Sequence, residues 1–147
     1  MAASTKTDVT WQHEAIRKQT CSLIKSLSGL ASRTSQGIGQ SVRLKDQIMV
    51  CRWPLYDFRE TMRYHIHEDE TLLEKRHDST VEDINREHEV IQKQLDQVIS
   101  LAEDAVYHKL SESELDKIAS DIWETVYRMT DLITTHTAKE DKLLEQS

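Results

Sequence analysis

Residues that make tight turns are scarce in this chain, which has three glycines and one proline among 147 residues. Because an all-β sandwich or barrel needs many such turns, this composition nearly excludes that fold class. Cys21 and Cys51 are too few for a disulfide framework, and they suit a reducing compartment. The length is typical of one domain, so we expect residues 1–147 to form a single folded unit.

An excess of positive charge and long apolar segments are also missing. The chain has 26 acidic and 19 basic residues, a formal charge of −7, whereas proteins that neutralise phosphate backbones carry the opposite sign. The first residues lack the apolar stretch of a signal peptide, and no later segment approaches the length of a membrane span. We therefore expect a soluble, cytoplasmic protein that has neither a nucleic acid nor a membrane as partner.

Apolar residues recur at alternating steps of three and four through four segments, the pattern of amphipathic helices. The first predicted helix runs from about residue 8 to 30 and is followed by a loop around Gly37 and Gly39. The second runs from about residue 42 to 76. The last two are bounded by capping residues: the third starts at Asp78, Ser79 or Thr80 and reaches about Tyr107, and the fourth starts at Ser111 or Ser113 and runs to the end.

Pro54 lies within the second predicted helix, so we expect that helix to bend there or to begin near there. The connections between the helices are short. Short connections favour antiparallel neighbours, and the sequence therefore predicts an all-α, up-down-up-down four-helix bundle.

The four helices form two copies of one helical hairpin. The first and third helices share His-Glu-x-Ile, which starts at His13 in one copy and at His88 in the other. The second and fourth share His-x-x-x-acid-acid-x-Leu-Leu, which starts at His65 and at His136. Seven histidines and 26 acidic residues produce roughly one His-x-x-x-acid pair by chance, so the repeated flanks carry more weight than the spacing alone.

One histidine interrupts the apolar line of each predicted helix, and in the second and fourth a carboxylate follows one turn later. These six side chains are His13, His65, Asp69, His88, His136 and Glu140. The histidines lie near the starts of the first and third helices and towards the ends of the second and fourth, so the bundle brings all six into one layer. Unpaired groups of this kind cost on the order of several kcal/mol each to bury, so something must neutralise them.

Two arrangements would neutralise the layer. The first is a set of core histidines hydrogen-bonded to the carboxylates, and the second is a metal site. Neutral imidazoles bind first-row transition metals, and two bridging carboxylates suit a pair of such ions, with iron, zinc and manganese all acceptable. Convergence from four helices favours the metal site.

With these motifs, essentially the whole chain resembles the hemerythrin-like (HHE cation-binding) family. The resemblance implies a non-haem centre of two iron ions with an oxo or hydroxo bridge. His13 and His65 would bind one iron, and His88 and His136 the other. Asp69 and Glu140, the last two of the six, would bridge both.

The resemblance further implies that the centre binds or reduces a small ligand, namely dioxygen, nitric oxide or peroxide. Oxygen-carrying members have another histidine where this chain has Gln92, and this difference favours redox chemistry or sensing over reversible oxygen carriage. Peroxidase, catalase-like and nitric oxide reductase-like activities all stay open. The alternatives are an iron-handling protein, or a bundle that binds zinc or manganese without redox chemistry. The ferritin-like pattern, Glu-x-x-His, fits poorly because here histidine comes first and four residues before the acid.

Several polar and aromatic residues are not assigned to the layer. Glu70 and Asp141 are expected behind the ligands or exposed, and Cys51 is expected in the core. Surface or helix-end positions are expected for His67, His77, His108, Glu14 and Glu68. Trp11, Trp53 and Trp123 are expected in the core, with a gas pocket as the alternative.

Overall fold

The computed structural model describes residues 6–31, 40–76 and 79–145. Within these ranges the chain forms four α-helices and no β-strand: α1 Lys6–Ala31, α2 Gln40–Leu73, α3 Ser79–Tyr107 and α4 Glu112–Glu145. The all-helical prediction is confirmed. None of the helices in the described ranges combines the length and the apolar character needed to cross a bilayer. The predicted loop at Gly37 and Gly39, together with His77 and Asp78, lies outside the described residues.

The helices pack in a ring, α1 against α2 and α4, and α3 against α2 and α4, with α2 also touching α4. Neighbours run antiparallel: on α2, His65 meets Gln12 of α1, while the earlier Cys51 lies beside the later Ser26. Contacts between α2 and α3 show the same direction, since the residue numbers rise along α2 as they fall along α3: Tyr56 with Glu103, Arg59 with Asp96, and Asp69 with His88. This packing is compatible with the predicted four-helix bundle.

α2 continues through Pro54, so the second of the two expected alternatives, that this helix begins near the proline, is wrong. A proline inside a helix removes one backbone hydrogen bond and costs about 3 kcal/mol. Here Ile48 and Cys51 before the proline, and Leu55 and Phe58 after it, are all buried in the same core. Packing on both sides of Pro54 offsets the local cost and keeps the segment helical.

The start of α4 carries the reciprocal cap that the sequence predicts, with Ser111 and not Ser113 as the capping residue. The backbone N–H of Glu114 donates to Ser111 Oγ at 3.1 Å, and the backbone N–H of Ser111 donates to Glu114 Oε1 at 3.1 Å. Two backbone N–H groups that would otherwise lack an acceptor are thus satisfied by side-chain oxygens, which fixes where α4 begins.

The apolar residues that recur at steps of three and four along the helices are nearly all buried. Thr20, which falls on this line in α1, is half-buried, and near the end of α2 Leu73 is fully buried whereas Leu72 is half-buried. Among the described residues seven polar side chains are buried, and six of them are the predicted layer: His13, His65, Asp69, His88, His136 and Glu140, with Thr137 as the seventh.

This polar layer separates two apolar regions. The larger, the main core, extends along all four helices and includes Ile16, Met62, Ile91 and Ile133 next to the layer. The smaller, which we call the end cluster, closes the end of the bundle where α1 and α3 begin and α2 and α4 end. Its buried members are Val9, Leu73, Val81, Ile84, Leu143 and Leu144. The histidines of the layer therefore lie about two helical turns inside the end of the bundle, with apolar side chains above and below.

Candidate metal centre

Helical geometry explains how the six polar side chains reach one layer. His65 and Asp69 on α2, and His136 and Glu140 on α4, are four residues apart, a spacing that puts both members of a pair on one helix face. α1 and α3 each contribute a single histidine from the side that faces the core. All six side chains are at most 1% exposed, so they are shielded from water together.

The carboxylate of Glu140 lies at the centre and meets all four imidazoles. Its Oε1 is 3.4 Å from His65 Nε2, 3.8 Å from His88 Nε2, and in closer contact with His136 Nε2. Its other oxygen, Oε2, is 3.6 Å from His13 Nε2. The four imidazoles thus direct the same ring nitrogen inward, and the two oxygens of one carboxylate face different parts of the layer.

Asp69 completes a compact group of possible ligands. Its Oδ2 lies 3.2 Å from His88 Nε2. One ligand atom from each of five residues lies within 4.8 Å of all the others, and these residues are His65, Asp69, His88, His136 and Glu140. His13 stands outside this group, although the sequence places it with the rest and Glu140 contacts it.

The rings form two close pairs. The centroids of His13 and His65 are 4.9 Å apart, and those of His88 and His136 are 4.6 Å apart, whereas His65 and His88 are separated by 6.1 Å. Each pair joins neighbouring helices, α1 with α2 and α3 with α4. The layer therefore has two halves that follow the sequence repeat.

On the outer side of every ring, Nδ1 meets an acceptor. The contacts are His13 with Asp141 at 2.7 Å, His65 with Gln12 at 2.9 Å, His88 with Glu70 at 3.4 Å and His136 with Glu87 at 3.0 Å. An acceptor at Nδ1 assigns one ring proton to that nitrogen, so in the neutral form of each ring the Nε2 lone pair faces inward. Acceptors in this position orient histidines that bind metals and raise their basicity.

These outer contacts confirm the expectation for Glu70 and Asp141, which sit behind histidines. Gln12 and Glu87 were missed by sequence reasoning. Each directly precedes a repeated histidine, at the same place in the two copies of the hairpin, so the repeat itself contained a signal for them. Glu68, expected at the surface, is half-buried. The exposed positions expected for three other residues are confirmed: His67, His108 and Glu14.

The tryptophan prediction was partly wrong. Trp11 is 71% exposed and Trp53 is 61% exposed, so both are surface residues, and only Trp123 packs against the main core. Trp53 instead stacks edge to face on Tyr56 and lies under the guanidinium group of Arg52. An aromatic ring can thus be held at the surface by its neighbours without entering the core.

Burial and mutual contact shift the pKa values of the layer in opposite directions. Burial raises the pKa of Asp69 to about 7. Burial also opposes the ionised form of Glu140, but contacts with four histidines outweigh it and lower the pKa of Glu140. For His88, burial lowers the pKa, yet contacts with Asp69 and Glu140 raise it overall to about 9. Burial dominates at His65 and lowers its pKa. The layer therefore stores protons that an incoming cation would displace.

Several inner atoms of the layer lie within ion-pair distance of one another but make no well-aligned hydrogen bond. Among the described residues, these inward-facing atoms are His13 Nε2, Asp69 Oδ1 and Oδ2, His88 Nε2, His136 Nε2 and Glu140 Oε2. Nitrogen and carboxylate oxygen atoms that face one another in a dry interior are costly unless protons or a metal ion lie between them. Nitrogen and oxygen donors of this kind fit a first-row transition metal. The structure thus shows a buried histidine and carboxylate cluster that can hold a metal ion.

Comparison with known proteins identifies no relative: no family model matches the chain, and no curated protein or solved structure is significantly similar to it. The likeness to hemerythrin-like proteins therefore depends on the residues described above.

Proposed function

We propose that this layer binds two iron ions and that the protein binds or reduces a small ligand there, namely dioxygen, nitric oxide or peroxide. The observation that carries the proposal is the buried set of Nε2 and carboxylate oxygen atoms that face one another, most of them without a well-aligned hydrogen bond, while each histidine is held from behind by an acceptor. In this proposal the hemerythrin-like resemblance selects iron. When bound, the iron pair would supply electrons and Lewis acidity to a small ligand.

Two positions for ions follow from how the six side chains divide. The compact group of five is sufficient for one ion. His13 lies outside that group, pairs with His65 and faces Glu140 Oε2, while the other oxygen of Glu140 faces the remaining rings. His13 and His65 would hold one ion, His88 and His136 the other, and Glu140 would bridge them together with Asp69.

The chain also provides a small opening beside the layer. A pocket of about 130 Å³ lies between α2 and α3, lined by Arg59, Met62, Arg63, Gln92, Leu95 and Asp96. Met62 is one turn before His65, and Gln92 is one turn after His88, so the pocket lies about one turn from the layer along α2 and α3, although none of the six layer residues lines it. Its volume would accommodate a diatomic molecule or peroxide. Gln92 would present an amide to such a ligand, and the end cluster would exclude water from the other side.

The proposal is tested by reconstituting the metal-free protein with ferrous iron under anaerobic conditions. Metal analysis should find two irons per chain, and visible spectra should change when oxygen, peroxide or nitric oxide is added. A stable adduct without turnover would identify a binding protein, and repeated consumption of the ligand would identify an enzyme.

Matched histidine variants make this experiment specific. H88A should lose iron, whereas H67A and H108A, which alter exposed histidines, should bind iron like the wild type. Only trace iron in the wild type, or retention of zinc or manganese in its place, would refute the iron proposal. Iron that exchanges freely with chelators, without any response to the three ligands, would indicate an iron-handling protein instead.

A further inference from the structure

We propose that the two metal positions are not equivalent, and that the position formed by His88 and His136 fills first. The residues that set this order are Glu87 and Gln12, which stand behind histidines at equivalent places in the two halves. This inference rests on the proposed function, since it concerns how the same centre takes up its ions.

The sequence repeat relates the two halves and exposes one difference between them. Gln12 accepts from His65 Nδ1 at 2.9 Å, and Glu87 accepts from His136 Nδ1 at 3.0 Å. The two contacts have the same geometry, but one acceptor is a neutral amide and the other is a carboxylate. A carboxylate behind an imidazole increases the basicity of the inward nitrogen more than an amide does, so His136 is the stronger donor.

Charges farther from the rings act in the same direction. Behind His13, the carboxylate of Asp141 is paired with Arg17 at 2.8 Å, which offsets much of its charge, although Arg17 also lies 3.8 Å from Glu14. At the position equivalent to Arg17 in the second copy of the repeat, the chain has the neutral Gln92.

The second half keeps a net negative charge. Both of its histidines are backed by carboxylates, from Glu70 and Glu87, and one lysine, Lys139, pairs with Glu87 at 2.9 Å. A divalent cation is attracted more strongly to this half. The contact of Glu70 weakens this difference between the halves. Glu70 is farther from the His88 ring than Asp141 is from the His13 ring, and Glu70 is 48% exposed. Screening by water weakens Glu70, and Lys139 offsets part of the charge of Glu87. The halves still differ by one acidic group: two carboxylates and one cation stand behind His88 and His136, but one carboxylate, one cation and the amide of Gln12 stand behind His13 and His65.

The inner geometry gives an independent reason for the same order. His88 and His136 both belong to the compact group, together with His65 and both carboxylates, and Asp69 Oδ2 already lies 3.2 Å from His88 Nε2. Of the first half only His65 belongs to the group, and His13 lies outside it. Both histidines of the second half are therefore already close to the carboxylates and to each other, whereas the first half has only one such histidine.

Reciprocal variants test the order. Metal-free wild type, E87Q, Q12E and the swap variant Q12E/E87Q would be titrated with Co²⁺, followed by calorimetry and by the visible spectrum of the ion. The wild type should bind two ions in separate steps. E87Q should weaken the first step by about 10–100-fold and bring the two steps together. Q12E should strengthen the second step. The swap variant, which keeps composition and net charge unchanged, should reverse the order.

Histidine ring NMR signals recorded with one equivalent of Zn²⁺ identify which position binds the first ion. The signals of His88 and His136 should shift first in the wild type, and those of His13 and His65 first in the swap variant. Circular dichroism confirms that each variant is folded, and the native Gln12 already shows that an amide fits in this environment. Two equal steps in the wild type, or an E87Q variant whose first step is unchanged, would overturn the ordered filling while leaving the two-ion centre intact. Failure to bind any metal would overturn both.

Discussion

Replacing Glu140 by glutamine isolates the charge at the centre of the layer, because the side chain keeps its size and loses its ionisable group. Glu140 is fully buried and contacts all four histidines, which lower its pKa. A carboxyl whose pKa is lower in the folded state stabilises the fold above its unfolded pKa, and this stabilisation is lost as the pH falls through the folded pKa. At pH 7 the full contribution is present, and removing one member of such a buried ionic group costs about 3–5 kcal/mol.

D69N is the matched control, since it neutralises the other carboxylate of the layer. Burial raises the pKa of Asp69 to about 7, so its ionised form opposes folding at neutral pH, and its closest inward contact is with His88 alone. Neutralising Asp69 should therefore raise the free energy of unfolding of the metal-free protein at pH 7, not lower it. The two substitutions are chemically alike, and the structure predicts opposite consequences for stability.

Urea unfolding of the metal-free protein at pH 7, followed by circular dichroism, distinguishes the two variants. With a denaturant slope of about 1–3 kcal/mol/M, E140Q should lower the urea midpoint by roughly 1–5 M, and D69N should raise it. An E140Q protein as stable as the wild type, or a D69N protein that is the less stable of the two, would refute the assignment of Glu140 as the central anion.

Three further outcomes follow from the same structure. Metal at 100 to 1,000 times its dissociation constant should stabilise the fold by about 2.7–4.1 kcal/mol and raise Tm by roughly 5–15 °C in calorimetry, an increase that a chelator reverses. The pKa of Asp69 is raised to about 7 and that of His88 to about 9, so metal affinity should increase from pH 6 to 9 with measurable proton release; a flat profile would contradict this. S111A should destabilise α4 by about 1 kcal/mol without changing metal content, while S113A should have little effect.

The six residues of the layer could be predicted because repetition and helical period reinforce each other. Each histidine occupies the same place in the two copies of the hairpin and lies on the apolar face of its helix. On α2 and α4 an acid follows one turn later and therefore lies on the same face. Helix ends were less accurate: α2 spans Gln40–Leu73, whereas residues 42 to 76 were expected. End positions depend on weak local signals, and Pro54 shows that packing along a whole helix overrides a single unfavourable residue.

The residues behind the histidines could not be assigned from the sequence in the same way. Gln12 and Glu87 are on the flanks of α1 and α3, and whether they meet a ring of the neighbouring helix depends on how the helices are rotated against each other. Periodicity within one helix contains no information about that rotation. The same reason applies to Trp11 and Trp53, whose hydrophobicity predicted burial although each lies on the outward face of its helix.

The position of the layer within the bundle leads to a last prediction. Apolar side chains in place of the six polar groups would make a bundle of this kind more stable, so stability does not account for the layer. The main core extends away from it along all four helices, and only the end cluster, which includes Val9 and Leu144, separates it from the end of the bundle. An ion can therefore enter when the helix ends open locally, without unfolding of the main core. Metal binds the closed state, so it should slow amide hydrogen exchange in the last turns of α2 and α4 by about 100-fold at 100 times the dissociation constant. Exchange around Leu95 and Val126, where global unfolding is required, should slow by a similar factor. Slowing at Leu95 and Val126 with unchanged exchange in the last turns of α2 and α4 would mean that local opening of the helix ends does not release the ion and that entry requires global unfolding.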